Sequence, residues 1–165
     1  MEANVEPVIR PVTRADAAEL AALLNAIIVR GGTTAFEVPF SAEQLDAAYL
    51  TGPSVHCCFV AEVGGLLLGF QTLGTQSFLP ASIGDIATFA RLGGTQRGVG
   101  TALFAATTER ARHIGLLGIN ATIRADNLGG LAFYARMGFV DHSVLPGVPL
   151  RDGTRVDRIR KRYAL

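Results

Sequence analysis

The chain has 165 residues, 49% of them hydrophobic and only 18% charged, which suits one well-buried domain and is too little for two, so residues 1–165 are read as a single domain. A formal net charge of +1 gives no broad attraction for nucleic acid or an anionic membrane, and any anion has to be met locally. The N-terminal MEANVEPVIRPVTRAD has no apolar run behind a basic start, and the oily stretch at 57–70 is broken by Glu62 and several glycines, so the expected compartment is the cytoplasm.

In chain order, Val5 to Val12 reads as a first strand. Thr13 then caps a helix to about Val29, with Asp16 at its third position, apolar Leu20, Leu23, Leu24, Ile27 and Ile28 along it, and Gly31 and Gly32 at its end. Ser41 with Gln44 repeats the capping pattern and predicts a second, shorter helix over SAEQLDAAYL. Three strands follow as an antiparallel meander: Val55 to Val63, Leu66 to Thr75 after the Gly64-Gly65 turn, and Gly84 to Ala90. The pattern then changes to a helix over Val99 to Ile114, a strand over Leu116 to Arg124, a helix over Leu128 to Met137 and a strand from Phe139. A last strand, Arg155 to Tyr163, closes the chain. A meander followed by parallel crossover units predicts an α/β (α+β) protein with a mixed sheet and helices on both faces.

Cys57 and Cys58 are adjacent in CCFVAEV, so strand alternation points them to opposite faces and makes them poor disulfide partners. They read as two small buried residues. His56, His113 and His142 lack ligand spacing, and no metal is expected. The basic ending RIRKRY sends Arg158, Arg160 and Arg162 to one strand face and Ile159 and Lys161 to the other; without interleaved aromatics it reads as a solvated face or edge protection. Arg155 or Arg158 is free in this reading to meet an anionic substrate.

Two motifs carry chemistry. In TQRGVGTAL, Gly98 and Gly100 open a helix although glycine costs roughly 1 kcal/mol against alanine there, which implies a close approach to the backbone. A strand, a loop and a glycine-bearing helix start form an anion site, because the first N–H groups lack helical partners and the helix dipole adds positive potential. No lysine follows as in a P-loop, and Leu103 stands where a dinucleotide fingerprint wants its third glycine. In NLGGLAFYARMGF, Asn127 is an N-cap, Tyr134 returns to the Asn127 side of the helix two turns on, and Gly138 is at the C-cap.

With both motifs in this order, the sequence resembles the GNAT superfamily of acetyl-CoA-dependent N-acetyltransferases over nearly its whole length. TQRGVG resembles the family's Arg or Gln, two residues, Gly, one residue, Gly or Ala, except that Thr95 stands where the leading Arg or Gln belongs. Asn127, Tyr134, Gly138 and Phe139 match its second motif. GGTTAFEVPFSAEQ and INATIRADN are most similar to the phosphinothricin acetyltransferase branch, whereas DGTRVDRI departs from it. The resemblance implies a mixed, mostly antiparallel twisted sheet of about seven strands, and a homodimer; from the charge balance neither nucleic acid nor membrane is expected as a partner.

It also implies roles. Acetyl-CoA would lie between the fourth and fifth strands, its pyrophosphate at Arg97, Gly98, Val99, Gly100 and Thr101, its thioester carbonyl near the backbone of the fourth strand around Phe89 and Ala90, with Asn127 also in the cofactor site. Acyl transfer from a thioester through a tetrahedral intermediate needs a neutral amine, oxyanion stabilisation and a proton for the departing thiolate. Asp85 falls where the branch has an acidic general base, with Glu37 in reserve; either carboxylate could instead bind the substrate's ammonium group. Tyr134 is placed to protonate the coenzyme A thiolate or to hold its sulfur. The expected acceptor is the primary amine of a small, amino-acid-like molecule. A polyamine, a protein N-terminus, or a catalytically silent acyl-CoA sensor of the same fold are the alternatives.

Overall fold

A computed structural model describes residues 5–94 and 97–165. Its first strand, β1 (Val8–Pro11), leads into a reciprocal cap in which the backbone N–H of Thr13 donates to Asp16 at 2.8 Å. Arg10 grips the same carboxylate through both terminal nitrogens at 2.9 Å and reaches Glu62 through Nε at 2.8 Å, so the guanidinium holds the Asp16 carboxyl down at about 2. One 3-10 turn, Arg14–Asp16, then opens α1 (Ala17–Arg30), which stops at Gly31 with φ +70°. The Ser41–Gln44 cap forms as the sequence predicts, but only Ala42–Leu45 (α2) is α-helical; Asp46–Leu50 continues as a wider π turn.

The meander is β2 (Val55–Val63), β3 (Leu66–Gly74) and β4 (Ile83–Ala90), followed by α3 (Val99–His113), β5 (Gly118–Arg124), α4 (Leu128–Met137), β6 (Val140–Pro149) and β7 (Arg155–Ala164). The seven strands form one sheet in the order β1-β2-β3-β4-β5-β7-β6, in which β4 and β5 are the parallel pair and the other neighbours are antiparallel. The expected parallel crossover from the fifth strand to the sixth therefore skips a place, because β7 inserts between them. This corrects the reading of the basic last strand as edge protection: β7 is interior, and β6 forms the edge.

Helices cover both faces. Leu20, Leu24 and Ile27 of α1 pack with Leu45, Leu50, Cys58, Val60 and Phe70 on one side. Phe104 and Ala111 of α3 and Tyr134 of α4 pack with Leu73, Ile86, Ile119, Ala121 and Ile123 on the other. The adjacent cysteines divide between the two as alternation requires, Cys58 in the first cluster and Cys57 against the second. Both thiols are free, and burial raises them, Cys57 to about 11. Among the described residues no helix is long and apolar enough to cross a membrane, and no group of three or more His, Cys, Asp or Glu side chains is gathered for a metal ion.

Candidate active site

The site is organised by the place where two strands part. β4 and β5 are paired from Ile83–Gly118 to Ile86–Ala121, and the pairing ends there although β4 continues to Ala90 and β5 to Arg124. β3 stays paired to β4 as far as Ala90, so one edge of the second half of β4 is satisfied and the other faces a slot through the sheet. Parallel strands with helical crossovers open such slots at their carboxyl ends, where ligands collect.

Alternation along β4 sends Asp85, Ala87 and Phe89 to the α1/α2 face and Ile86 and Thr88 to the α3/α4 face. Asp85 lines a cavity of about 260 Å³ with Tyr49, Ser54, Thr72, Thr75, Gln76 and Ala87. Burial pushes its carboxyl up to about 6, against the opposing pull of a hydrogen bond from Asn120 and the charges of Arg160 and Arg162. A carboxylate in that range is ionised at neutral pH and still basic enough to take a proton.

Tyr134 stands on the other face, buried at 7% exposure, its hydroxyl 2.9 Å from Thr88 Oγ1. Burial raises its pKa. Thr88 Oγ1 also accepts from Gln71 Nε2 at 3.0 Å. If Thr88 passes its own hydrogen on to Tyr134, the three groups form a chain of donors that leaves the tyrosine's proton for a further acceptor. Gln71 is fully buried in LLLGFQTLG, where only it and Thr72 are polar, a sequence signal that pattern reading passes over.

The glycines of the α3 entrance serve different ends. Gly98 is the N-cap at φ +80°, a left-handed conformation, and a Cβ there would meet nothing within 4 Å, so its side is open. Gly100 has a near neighbour within the chain: a Cβ would lie 2.7 Å from Phe133 Cε2. The close approach inferred from the sequence is thus made, at Gly100, by an α4 ring. The first turn of α3 has no acidic residue, and the first intrahelical bond runs from Ala102 N–H to Gly98 O, which leaves the N–H groups of Val99, Gly100 and Thr101 without helical acceptors. Arg97 is exposed at this end, while Thr95 and Gln96 lie outside the described residues.

Asn127 is engaged at both ends of its amide. Oδ1 caps α4 by accepting from Gly130 N–H at 3.0 Å, and Nδ2 donates to Thr33 O at 3.1 Å. Arg124, which is ion-paired with Asp126 at 2.7 Å, donates to Thr34 O at 3.2 Å. These contacts tie the chain after α1 to the start of α4. Just beyond, Phe36 packs 6.1 Å from Phe89, and Glu37 lines a second cavity of about 730 Å³ with Phe36, Phe40 and Arg151. Both Glu37 oxygens accept from the backbone N–H of Arg151 at 3.1 Å, so Glu37 latches the β6–β7 turn and lines a different cavity from Asp85.

Residues 26–139 match the model of the acetyltransferase (GNAT) family; the chain belongs to that family and is an N-acetyltransferase by class. No curated protein matches it in sequence. Among solved structures it resembles the ribosomal-protein-alanine N-acetyltransferase of Brucella melitensis, with 21% identity, a TM-score of 0.81, and 96% of this chain and 99% of that one covered. It also resembles yncA of Salmonella typhimurium, solved with its cofactor acetyl-CoA, at 17% identity and a TM-score of 0.81 over 98% of this chain and 95% of that one. A phosphinothricin acetyltransferase from Sinorhizobium meliloti, in complex with acetyl-CoA, gives 16% identity and a TM-score of 0.80 over 98% and 89%. At these identities the likeness is one of fold.

Proposed function

We propose that the protein transfers an acetyl group from acetyl-CoA to the primary amine of a small, amino-acid-like acceptor. The observation that carries this reading is the placement of Asp85 and Tyr134 on opposite faces of one strand beside the slot between β4 and β5. A base on one side and an acid on the other suit a reaction in which an ammonium group loses its proton and a thiolate gains one. Acetyl-CoA, when bound, supplies the activated acyl group. The unpaired edge of β4 at Phe89 and Ala90 suits the carbonyl of that group, and the α3 entrance at Arg97 to Thr101 suits its pyrophosphate.

In this reading Asp85 takes the acceptor's proton through water, and the Tyr134 hydroxyl gives its proton to the sulfur that leaves. Glu37, held by Arg151, shapes the acceptor side, and Asn127 supports the site by fixing the chain at Thr33. The protein acts in the cytoplasm as a homodimer, and light scattering would test the dimer. Acetyl-CoA incubated with a panel of amino acids, polyamines and peptide N-termini, with released thiol as the readout, tests the function. Turnover confined to amino-acid-like amines supports it; acetyl-CoA binding with no turnover on any amine overturns it in favour of a silent sensor.

A further inference from the structure

We propose that Asn120, itself oriented by Arg162, is the residue that positions the carboxylate of Asp85. The proposal rests on the reading of Asp85 above, and its test separates the two. Asn120 is fully buried in the middle of β5. Its Nδ2 donates to Asp85 Oδ1 at 2.8 Å and to Thr122 Oγ1 at 3.1 Å, and its Oδ1 accepts from Arg162 Nε at 2.8 Å. Both hydrogens of the amide and its oxygen are therefore engaged.

The two charged neighbours permit only one orientation of that amide. Turned over, it would set its oxygen against a carboxylate and its NH2 against a guanidinium, leaving two buried like-with-like contacts. The register makes the arrangement: Asp85 is the partner of Asn120 across the parallel pair, and Asn120 is the partner of Arg162 across the antiparallel one, so the three side chains share a row on one face. A carboxylate with one oxygen bound to a buried, fixed donor cannot rotate freely, and its other oxygen is aimed by the same bond. The further groups that bear on Asp85 are Arg160 of β7, Tyr49 beyond α2 and Tyr134 of α4.

The test follows the Asp85 carboxyl by carbon-13 NMR in the full chain, with the signal assigned from Asp85→Asn. Wild type should titrate near about 6. Asn120→Ala removes a donor that favours the ionised form and should raise the midpoint by about one to two pH units, the size of a charge-assisted hydrogen bond. Arg162→Gln removes both a charge that acts on Asp85 directly and the bond that orients Asn120, so it should raise the midpoint more in the wild-type background than in Asn120→Ala, where only the charge is left to lose. A wild-type midpoint in folded Asn120→Ala overturns the proposal; so does one in Arg162→Gln if the alanine variant does not fold. A purely structural role would lower the melting temperature and leave the midpoint in place. If the NMR midpoint moves while the acid limb of acetyl transfer does not, Asn120 still positions Asp85 and the assignment of Asp85 as base falls.

Discussion

The carboxylate of Asp85 and the hydroxyl of Tyr134 lie on opposite faces of β4 around the point where its pairing with β5 ends, one bound to Asn120 at 2.8 Å and the other to Thr88 at 2.9 Å. Each is held by a partner on a different element, so neither depends on the other for its orientation. In the proposed reaction this separation would let a base and an acid keep opposite protonation states without neutralising one another.

Removing the Asp85 carboxylate should lower turnover on an ammonium acceptor by roughly a hundredfold, with partial recovery at high pH where more amine is already neutral. Wild-type activity should fall as the pH drops through about 6, where the carboxylate takes up its proton. Turnover of Asp85→Asn equal to wild type across the pH range would move the role to Glu37 or to solvent.

The same residue should shape stability in the opposite sense. Its pKa is raised on folding, from 3.8 to about 6, so the native state binds more protons than the unfolded one between those values. The stabilising contribution is complete below about pH 4 and is lost as the pH rises through about 6. Asp85→Asn should therefore stabilise the fold at pH 8, on the order of 2 kcal/mol, and give little gain at pH 4. Urea unfolding at the two pH values measures the difference, and equal gains at both would contradict the raised pKa.

Tyr134→Phe keeps the ring packed against Phe133 and Phe139 and deletes only the hydroxyl. Turnover should fall by a factor on the order of ten to a thousand, with the Michaelis constant for acetyl-CoA nearly unchanged, because the lost interaction belongs to the transition state. Equal turnover when chemistry limits the rate would reduce Tyr134 to a packing residue.

The two glycines at the α3 entrance should respond differently. Gly98→Ala strains a residue at φ +80° by about 1 to 2 kcal/mol and places a methyl at the proposed anion cradle. The acetyl-CoA dissociation constant should rise at least about tenfold, about 1.4 kcal/mol, while the fold persists. Gly100→Ala should instead lose stability through its 2.7 Å approach to Phe133, and a second change, Phe133→Leu, should restore part of it. Calorimetry and unfolding on the same variants separate the effects; unchanged affinity in Gly98→Ala would remove the cradle.

Asn127→Ala should cost about 1 kcal/mol or more, since it deletes the α4 cap together with the bond to Thr33. Loosening that tie frees the segment leading to Phe36 and Glu37, so the Michaelis constant for the acceptor should rise more than that for acetyl-CoA. Kinetics with each substrate varied in turn would show the split; a rise confined to the acetyl-CoA Michaelis constant would place Asn127 in the cofactor site alone, and equal changes would remove the acceptor-side role.

Most of the local architecture is written in the sequence by itself. The Thr13–Asp16 and Ser41–Gln44 caps, the Gly64-Gly65 turn, the limits of β2 and α4 and the opposite facing of Cys57 and Cys58 follow from capping chemistry and side-chain period, which act over a few residues. Tertiary structure alone decided what lies between distant segments. The last strand could have been an edge; its insertion between β5 and β6 places Arg162 on Asn120 and Asn120 on Asp85, joining positions 42 and 35 residues apart. Thr33 meets Asn127 across 94 residues, and Gly100 is small because a ring from another helix rests on it. Such contacts depend on strand order and register, which no local pattern encodes, because each strand's alternation fits either edge of a neighbour equally well.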